Sequence, residues 1–138
     1  MPITGQLTDM VYVPGRLFSV NQRTSRVVPN LFARNERVIC LFTTAVGPMA
    51  LILVGALLVG SIETVWAGAI TPNQLSQVQR WHYPAASAPV LSQGAELGRF
   101  NIGSTVILLF DANQVSWLSE ITVPHKQLMG QSLARRLR

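Results

Sequence analysis

Residues 45–62 run for eighteen positions without a charged side chain. A stretch that long and that apolar has to be buried, either in a bilayer as one helix or in a protein core as strands. Its breakers decide between the two. Gly47-Pro48 interrupts it near the start, Gly55 and Gly60 follow at short intervals, and Glu63 closes it with Trp66 just beyond. Two strands, at 49–54 and 57–66, fit that punctuation better than one continuous helix.

The flanking sequence has the same texture. Asp9-Met10-Val11-Tyr12-Val13 reads as a strand stopped by Pro14-Gly15, and 17–20 alternates apolar with polar before Asn21. Residues 22–29 carry Arg23 and Arg26 without an apolar period and read as a loop. Arg34-Asn35-Glu36-Arg37 reads as a polar tip before the strand-forming run 38–42. From 71 to 92 proline, serine, glutamine and alanine dominate, an excursion with room for one helical turn near 74–79. A turn into a strand follows at 93–100, then strands at 104–110 and 114–118, and a basic helix or loose tail from 126 to 138. The expectation is an all-β fold, a β-sandwich or barrel-sandwich-hybrid-like core with a proline-rich excursion and a basic C-terminal tail.

With 138 residues the chain has room for one domain, and 12% charged against 49% hydrophobic residues, with mean hydropathy +0.32, excludes a disordered tail or a coiled coil. Ten of the eleven basic side chains are arginine and the net charge is +5, which favours anionic partners. Arg23, Arg26, Arg34 and Arg37 form a cluster that is either a solvated face or a contact with an anionic membrane surface. The lone Cys40, set between Ile39 and Leu41, excludes an internal disulfide and a multi-cysteine zinc site and reads as an inert buried thiol. The N-terminus lacks a basic region followed by an apolar run, so a cleaved secretory signal is not expected. No P-loop, dinucleotide fingerprint or paired-histidine metal motif is present, and His82 and His125, each near a proline, read as solvated loop residues.

One segment has chemical content. In Phe100-Asn101-Ile102-Gly103-Ser104-Thr105, a glycine before a serine leaves the Gly103 carbonyl unshielded, so the Ser104 hydroxyl can attack it. Taken alone, Gly-Ser-Thr is an ordinary turn. Around it stand Leu31-Phe32-Ala33-Arg34-Asn35-Glu36-Arg37-Val38, then Gly60-Ser61-Ile62-Glu63-Thr64-Val65-Trp66-Ala67-Gly68, then Gly94-Ala95-Glu96-Leu97-Gly98-Arg99-Phe100 leading into Gly103-Ser104-Thr105-Val106-Ile107. With Tyr12-Val13-Pro14-Gly15, Leu17-Phe18-Ser19-Val20-Asn21 and Gly130-Gln131-Ser132-Leu133-Ala134, the chain resembles the bacterial phosphatidylserine decarboxylases over nearly its whole length.

The resemblance implies a proenzyme that becomes a pyruvoyl enzyme. Ser104 matches the family's self-cleaving serine and Gly103 its glycine, with Ile102 in place of the usual leucine. Cleavage leaves 1–103 as the larger chain and 104–138 as the smaller, capped by a pyruvoyl group derived from Ser104. Its ketone forms a Schiff base with the amine of phosphatidylserine and takes up the electrons released as carbon dioxide departs, giving phosphatidylethanolamine. No metal is implied. The expected partners are phosphatidylserine, an anionic membrane surface, the two cleavage products for each other and a second copy of the chain, but not nucleic acid. The expected location is peripheral, on the cytoplasmic face of the bacterial inner membrane.

Family members are about twice as long, and their upstream half supplies an aspartate and a histidine that activate the serine. The present sequence begins just after that histidine's position, and neither His82 nor His125 falls on it. A serine hydroxyl without an adjacent base is a weak nucleophile, so the chain reads as the C-terminal part of a decarboxylase, inactive in isolation. Two other readings stand beside it: a small membrane protein spanning at 45–62, and a non-catalytic β-module that binds anionic lipid or nucleic acid through its arginines.

Overall fold

Every second residue of β2 (Arg37–Thr44) is buried, Val38, Cys40 and Phe42 in turn, and β3 (Gly47–Val54) repeats the pattern with Met49, Leu51 and Leu53. A period of two with branched and aromatic side chains on one face is what a half-covered antiparallel sheet requires. In this computed structural model, which describes residues 1–57, 61–71, 76–103, 105–118 and 125–137, these strands form the centre of the main sheet. β1 (Gly5–Val13) pairs with β2 on one side, and β9 (Thr105–Phe110) pairs with β3 on the other. The edge beyond β1 is β6 (Gln79–His82), giving the order β6-β1-β2-β3-β9, with the short β7 (Val90–Leu91) also against β1. All of these pairings are antiparallel.

A second sheet, β5-β4-β8, comprises β4 (Ile62–Thr64), β5 (Gly68–Thr71) and β8 (Gly98–Phe100). Ile62 and Leu97 join Leu7, Met10, Tyr12, Val38, Cys40, Phe42 and the inward residues of β3 in one core, against which Trp66 and Phe100 pack. Trp66 meets Phe42 edge to face, with centroids 6.2 Å apart. Fully burying a side chain such as Phe42 or Ile62 contributes about 1.5–3 kcal/mol, so this contact helps to hold the two sheets together. A third pair, β10 (Val115–Trp117) with β11 (Ala134–Arg136), completes an all-β architecture in which, among the described residues, no sheet closes into a barrel.

Several expectations change. Residues 22–29 are not a loop: α1 (Gln22–Val27) is a helix that buries nothing and is held by a capping box. Asn21 Oδ1 accepts from the amides of Arg23 and Thr24, while Thr24 Oγ1 accepts from the Asn21 amide. Residues 17–20 form no strand, because the Phe18 amide and carbonyl are both taken by the Asn35 side chain. The strand expected at 57–66 shortens to β4 and turns at 65–67; residues 58–60 lie outside the description. Residues 47–54 of the apolar run are a strand of the main sheet, and no helix among the described residues is long and apolar enough to cross a membrane. The helical turn near 74–79 falls partly on 72–75, outside the description, and Gln79 already belongs to β6. The basic end contains β11 where a helix or tail was expected.

Candidate active site

β8 and β9 belong to different sheets, so the chain between them crosses from one layer to the other at Asn101–Gly103. The crossing is anchored on its β8 side. Ile62, Glu63 and Thr64 face Phe100, Arg99 and Gly98, and a Cβ at Gly98 would come within 2.1 Å of the Glu63 carbonyl oxygen. Only a residue without a side chain lets the two strands approach so closely. Beyond β8 the Asn101 side-chain amide donates to the hydroxyl of Ser61, itself buried just before β4. Residues 61–68 and 94–103 therefore build one support. On that support Gly103 adopts φ +64°, in the left-handed region that favours glycine, and is exposed. Ser104, the expected nucleophile, lies outside the described residues; Thr105 after it opens β9.

Next to the crossing the core face of the main sheet is left partly uncovered by the described residues. An open groove of about 1020 Å³ runs over it, lined by Leu51, Leu53, Leu97, Phe100, Val106 and Met129. Val106 shares a face with Leu108 and Phe110 yet is half exposed. No cluster of three or more histidine, cysteine, aspartate or glutamate side chains that could hold a metal occurs among the described residues.

His82 stands apart from this crossing. His82 is on β6, the opposite edge from β9, with β1, β2 and β3 between them. Four strand spacings amount to roughly 19 Å, beyond any hydrogen bond to the Gly103 carbonyl. His82 is not a loop residue: it faces Asp9 across the β1–β6 ladder, Nδ1 to Oδ1 3.3 Å, and Arg80 Nε donates to the same oxygen at 2.8 Å. The Arg80 hydrogen bond, helped by His82, holds the Asp9 carboxyl below the usual range against the opposing effect of burial. A bulge between Leu7 and Asp9 brings Leu7 onto the core face with Met10 and Tyr12, while alternation leaves Asp9 on the other face. His125 is exposed, outside any strand.

A model of the phosphatidylserine decarboxylase family matches residues 1–135. The chain belongs to the phosphatidylserine decarboxylase family. It is 56% identical over 137 residues to the phosphatidylserine decarboxylase proenzyme of Pseudomonas fluorescens (strain Pf0-1), covering 98% of this chain and 48% of that protein. The corresponding proenzyme of Azotobacter vinelandii is 53% identical over 137 residues, with the same coverage, and that of Ectopseudomonas mendocina 57% over 135, covering 96% of this chain and 47% of that one. The chain thus spans about half the length of the curated relatives it matches, and the matched stretch is their C-terminal part.

Two of the family-like stretches serve architecture. Asn35 and Glu36, expected at a polar tip, are buried. Asn35 Nδ2 donates to the carbonyls of Phe18 (2.8 Å) and Gly55 (2.9 Å), and its Oδ1 accepts from the Phe18 amide (3.0 Å). Tyr12 donates its hydroxyl to Glu36 Oε1 at 2.7 Å, and burial together with that carboxylate pushes the phenol pKa up. These bonds lock 12–18, 35–36 and Gly55 together behind β1 and β2. Arg37 donates to the carbonyls of Ala33 and Asn35, so it caps α2 (Leu31–Arg34) and is not part of an open cationic face. The sequence signal for this latch was the pair Asn35-Glu36 directly before an apolar strand, with a tyrosine in the neighbouring strand to receive it. The Asp9–Arg80–His82 group had a weaker signal, one acid in an otherwise apolar strand.

Proposed function

We propose that the chain is the self-cleaving part of a pyruvoyl-dependent phosphatidylserine decarboxylase, with Ser104 as nucleophile and Gly103 as the attacked carbonyl. The observation that carries this reading is Gly103 itself: left-handed, exposed, and on a crossing tied to Ser61 through Asn101. A carbonyl with no side chain beside it and a turn fixed on one side fit the formation of a pyruvoyl group there.

The Ser104 hydroxyl oxygen adds to the Gly103 carbonyl carbon and the amide C–N bond breaks, leaving an ester and a free amine. Elimination across Cα–Cβ of residue 104 releases Gly103 as a carboxylate and leaves dehydroalanine, which water converts to a ketone with loss of ammonia. Proton removal from Ser104 needs a base. His82 is across the sheet, and the base is proposed to come from residues that the relatives carry outside the matched stretch, with the chain by itself staying uncut. After cleavage the products hold together, because the 104–138 piece keeps β9 paired with β3 at six successive positions from Val54↔Thr105 to Met49↔Phe110.

The pyruvoyl carbonyl supplies the electron sink that lets a carboxylate leave as carbon dioxide. The chain's own contribution is the largely apolar groove lined by Phe100 and Val106, which flank the crossing in sequence, and it suits the acyl and glycerol portion of phosphatidylserine. Such an enzyme works as a peripheral protein at the cytoplasmic face of the bacterial inner membrane. The test joins the chain to the upstream residues of the Pseudomonas fluorescens relative and follows phosphatidylethanolamine formation in phosphatidylserine vesicles. Conversion that Ser104→Ala abolishes is expected; conversion by the Ser104→Ala protein, or none by a folded parent, overturns the proposal.

A further inference from the structure

From Met10 to Asn35 the chain carries no acidic residue but four arginines, Arg16, Arg23, Arg26 and Arg34. The structure gathers this stretch into one lobe. Arg16 bridges to Asn35, the Arg34 guanidinium stacks on the Phe18 ring at 4.7 Å, and Ser19 holds the start of α1 through Thr24. All four arginines are exposed, and none forms a salt bridge among the described residues. Apolar side chains are exposed between them: Val27 at 69%, Leu17 at 46% and Phe32 at 38%. On α1, Arg23 and Arg26 are three apart and Arg23 and Val27 four apart, so both charges and the apolar residue share one helix face. A helix that buries nothing in its own protein while presenting arginine beside valine has the makeup of an interfacial element.

We propose that the lobe of α1, α2 and residues 16–18 is the face with which this protein docks on an anionic phospholipid surface, the arginines at the headgroups and Leu17, Val27 and Phe32 in the acyl boundary. The inference rests on the decarboxylase reading only in expecting a membrane to be near. Charge complementarity selects the occupant: four exposed cations with no salt bridge among the described residues match an anionic surface, and the interleaved apolar groups match a lipid boundary better than a nucleic-acid backbone, which offers them no apolar contact. Arg37, engaged with the end of α2, contributes little.

The test is cosedimentation of the whole chain with vesicles of phosphatidylglycerol and phosphatidylcholine, which contain no phosphatidylserine, so that failure of the catalytic reading leaves the result intact. Each arginine at such a surface is worth roughly fivefold in affinity, so Arg23→Gln with Arg26→Gln weakens binding about 25-fold. Arg135→Gln with Arg136→Gln, which removes the same charge elsewhere, leaves it within about twofold. Val27→Ser lowers the binding that persists at high salt, where the charge contribution is screened. The proposal is overturned if the two double variants weaken binding equally, if neither does, if pure phosphatidylcholine binds as well, or if duplex DNA competes the vesicles off through the same arginines.

Discussion

Replacing Asn35 with alanine tests whether the buried latch behind β1 and β2 holds the α1–α2 lobe to the sheet. The side chain is fully buried and makes three hydrogen bonds, to the Phe18 amide and to the Phe18 and Gly55 carbonyls. Each such bond contributes a net of about 0.5–1.5 kcal/mol, so Asn35→Ala is expected to cost about 3 kcal/mol of unfolding free energy. For a chain of this size that corresponds to a fall in Tm of roughly 10 °C. Urea unfolding followed by tryptophan fluorescence reads the change as a lower midpoint at unchanged slope. Asn35→Asp sharpens the test. It keeps an acceptor for the Phe18 amide but sets a carboxylate oxygen against two carbonyls, so it should cost at least as much as alanine. A loss under about 0.5 kcal/mol for alanine, or an aspartate variant more stable than alanine, would refute the reasoning.

Gly98→Ala should disrupt the β4–β8 pairing, since its Cβ has only 2.1 Å to the Glu63 carbonyl oxygen; loss of hydrogen-exchange protection at Ile62–Thr64, with β2 and β3 spared, is the expected pattern. The Asp9 carboxyl is held below its ordinary value by Arg80 and His82, so its contribution to stability is complete above the unfolded pKa of about 3.9 and is lost as pH falls through the lower folded value. Asp9→Asn should therefore flatten the acid side of the stability profile and leave the relative slope above about pH 6 unchanged, as read by urea midpoints across pH. Burial pushes the Cys40 thiol up to about 12 and leaves it with no exposed surface, so iodoacetamide at neutral pH should label it only in denaturant.

The strands that cover the core were legible because their side chains alternate. The expected runs at 38–42, 49–54 and 104–110 lie in β2, β3 and β9, apart from Ser104, which is outside the description. What periodicity missed lacked a buried face. α1 buries nothing and is held by Asn21 and Thr24, so no apolar period marks it, although the capping residues are readable in Asn21-Gln22-Arg23-Thr24. Residues 17–20 alternate as a strand would, but the partner that takes the Phe18 backbone is a side chain seventeen positions away. Asn35 and Glu36 look like surface residues until Tyr12, Phe18 and Gly55 are brought beside them. At the site, Gly103 was legible from glycine beside serine, whereas its tether through Asn101 to Ser61 joins residues forty positions apart. His82 and Asp9 lie 73 positions apart and meet only through the β1–β6 register.

The most direct test of the proposed cleavage site is intact-mass spectrometry of the chain joined to the upstream residues of the Pseudomonas fluorescens relative, beside a Ser104→Ala control and the chain alone. Two pieces meeting at Gly103 and Ser104, the smaller bearing a pyruvoyl cap, with the control and the chain alone uncut, is the result expected from a left-handed, exposed Gly103 and a base supplied from outside the matched stretch. A cut in the Ser104→Ala protein, or a folded joined protein that stays whole, would contradict it.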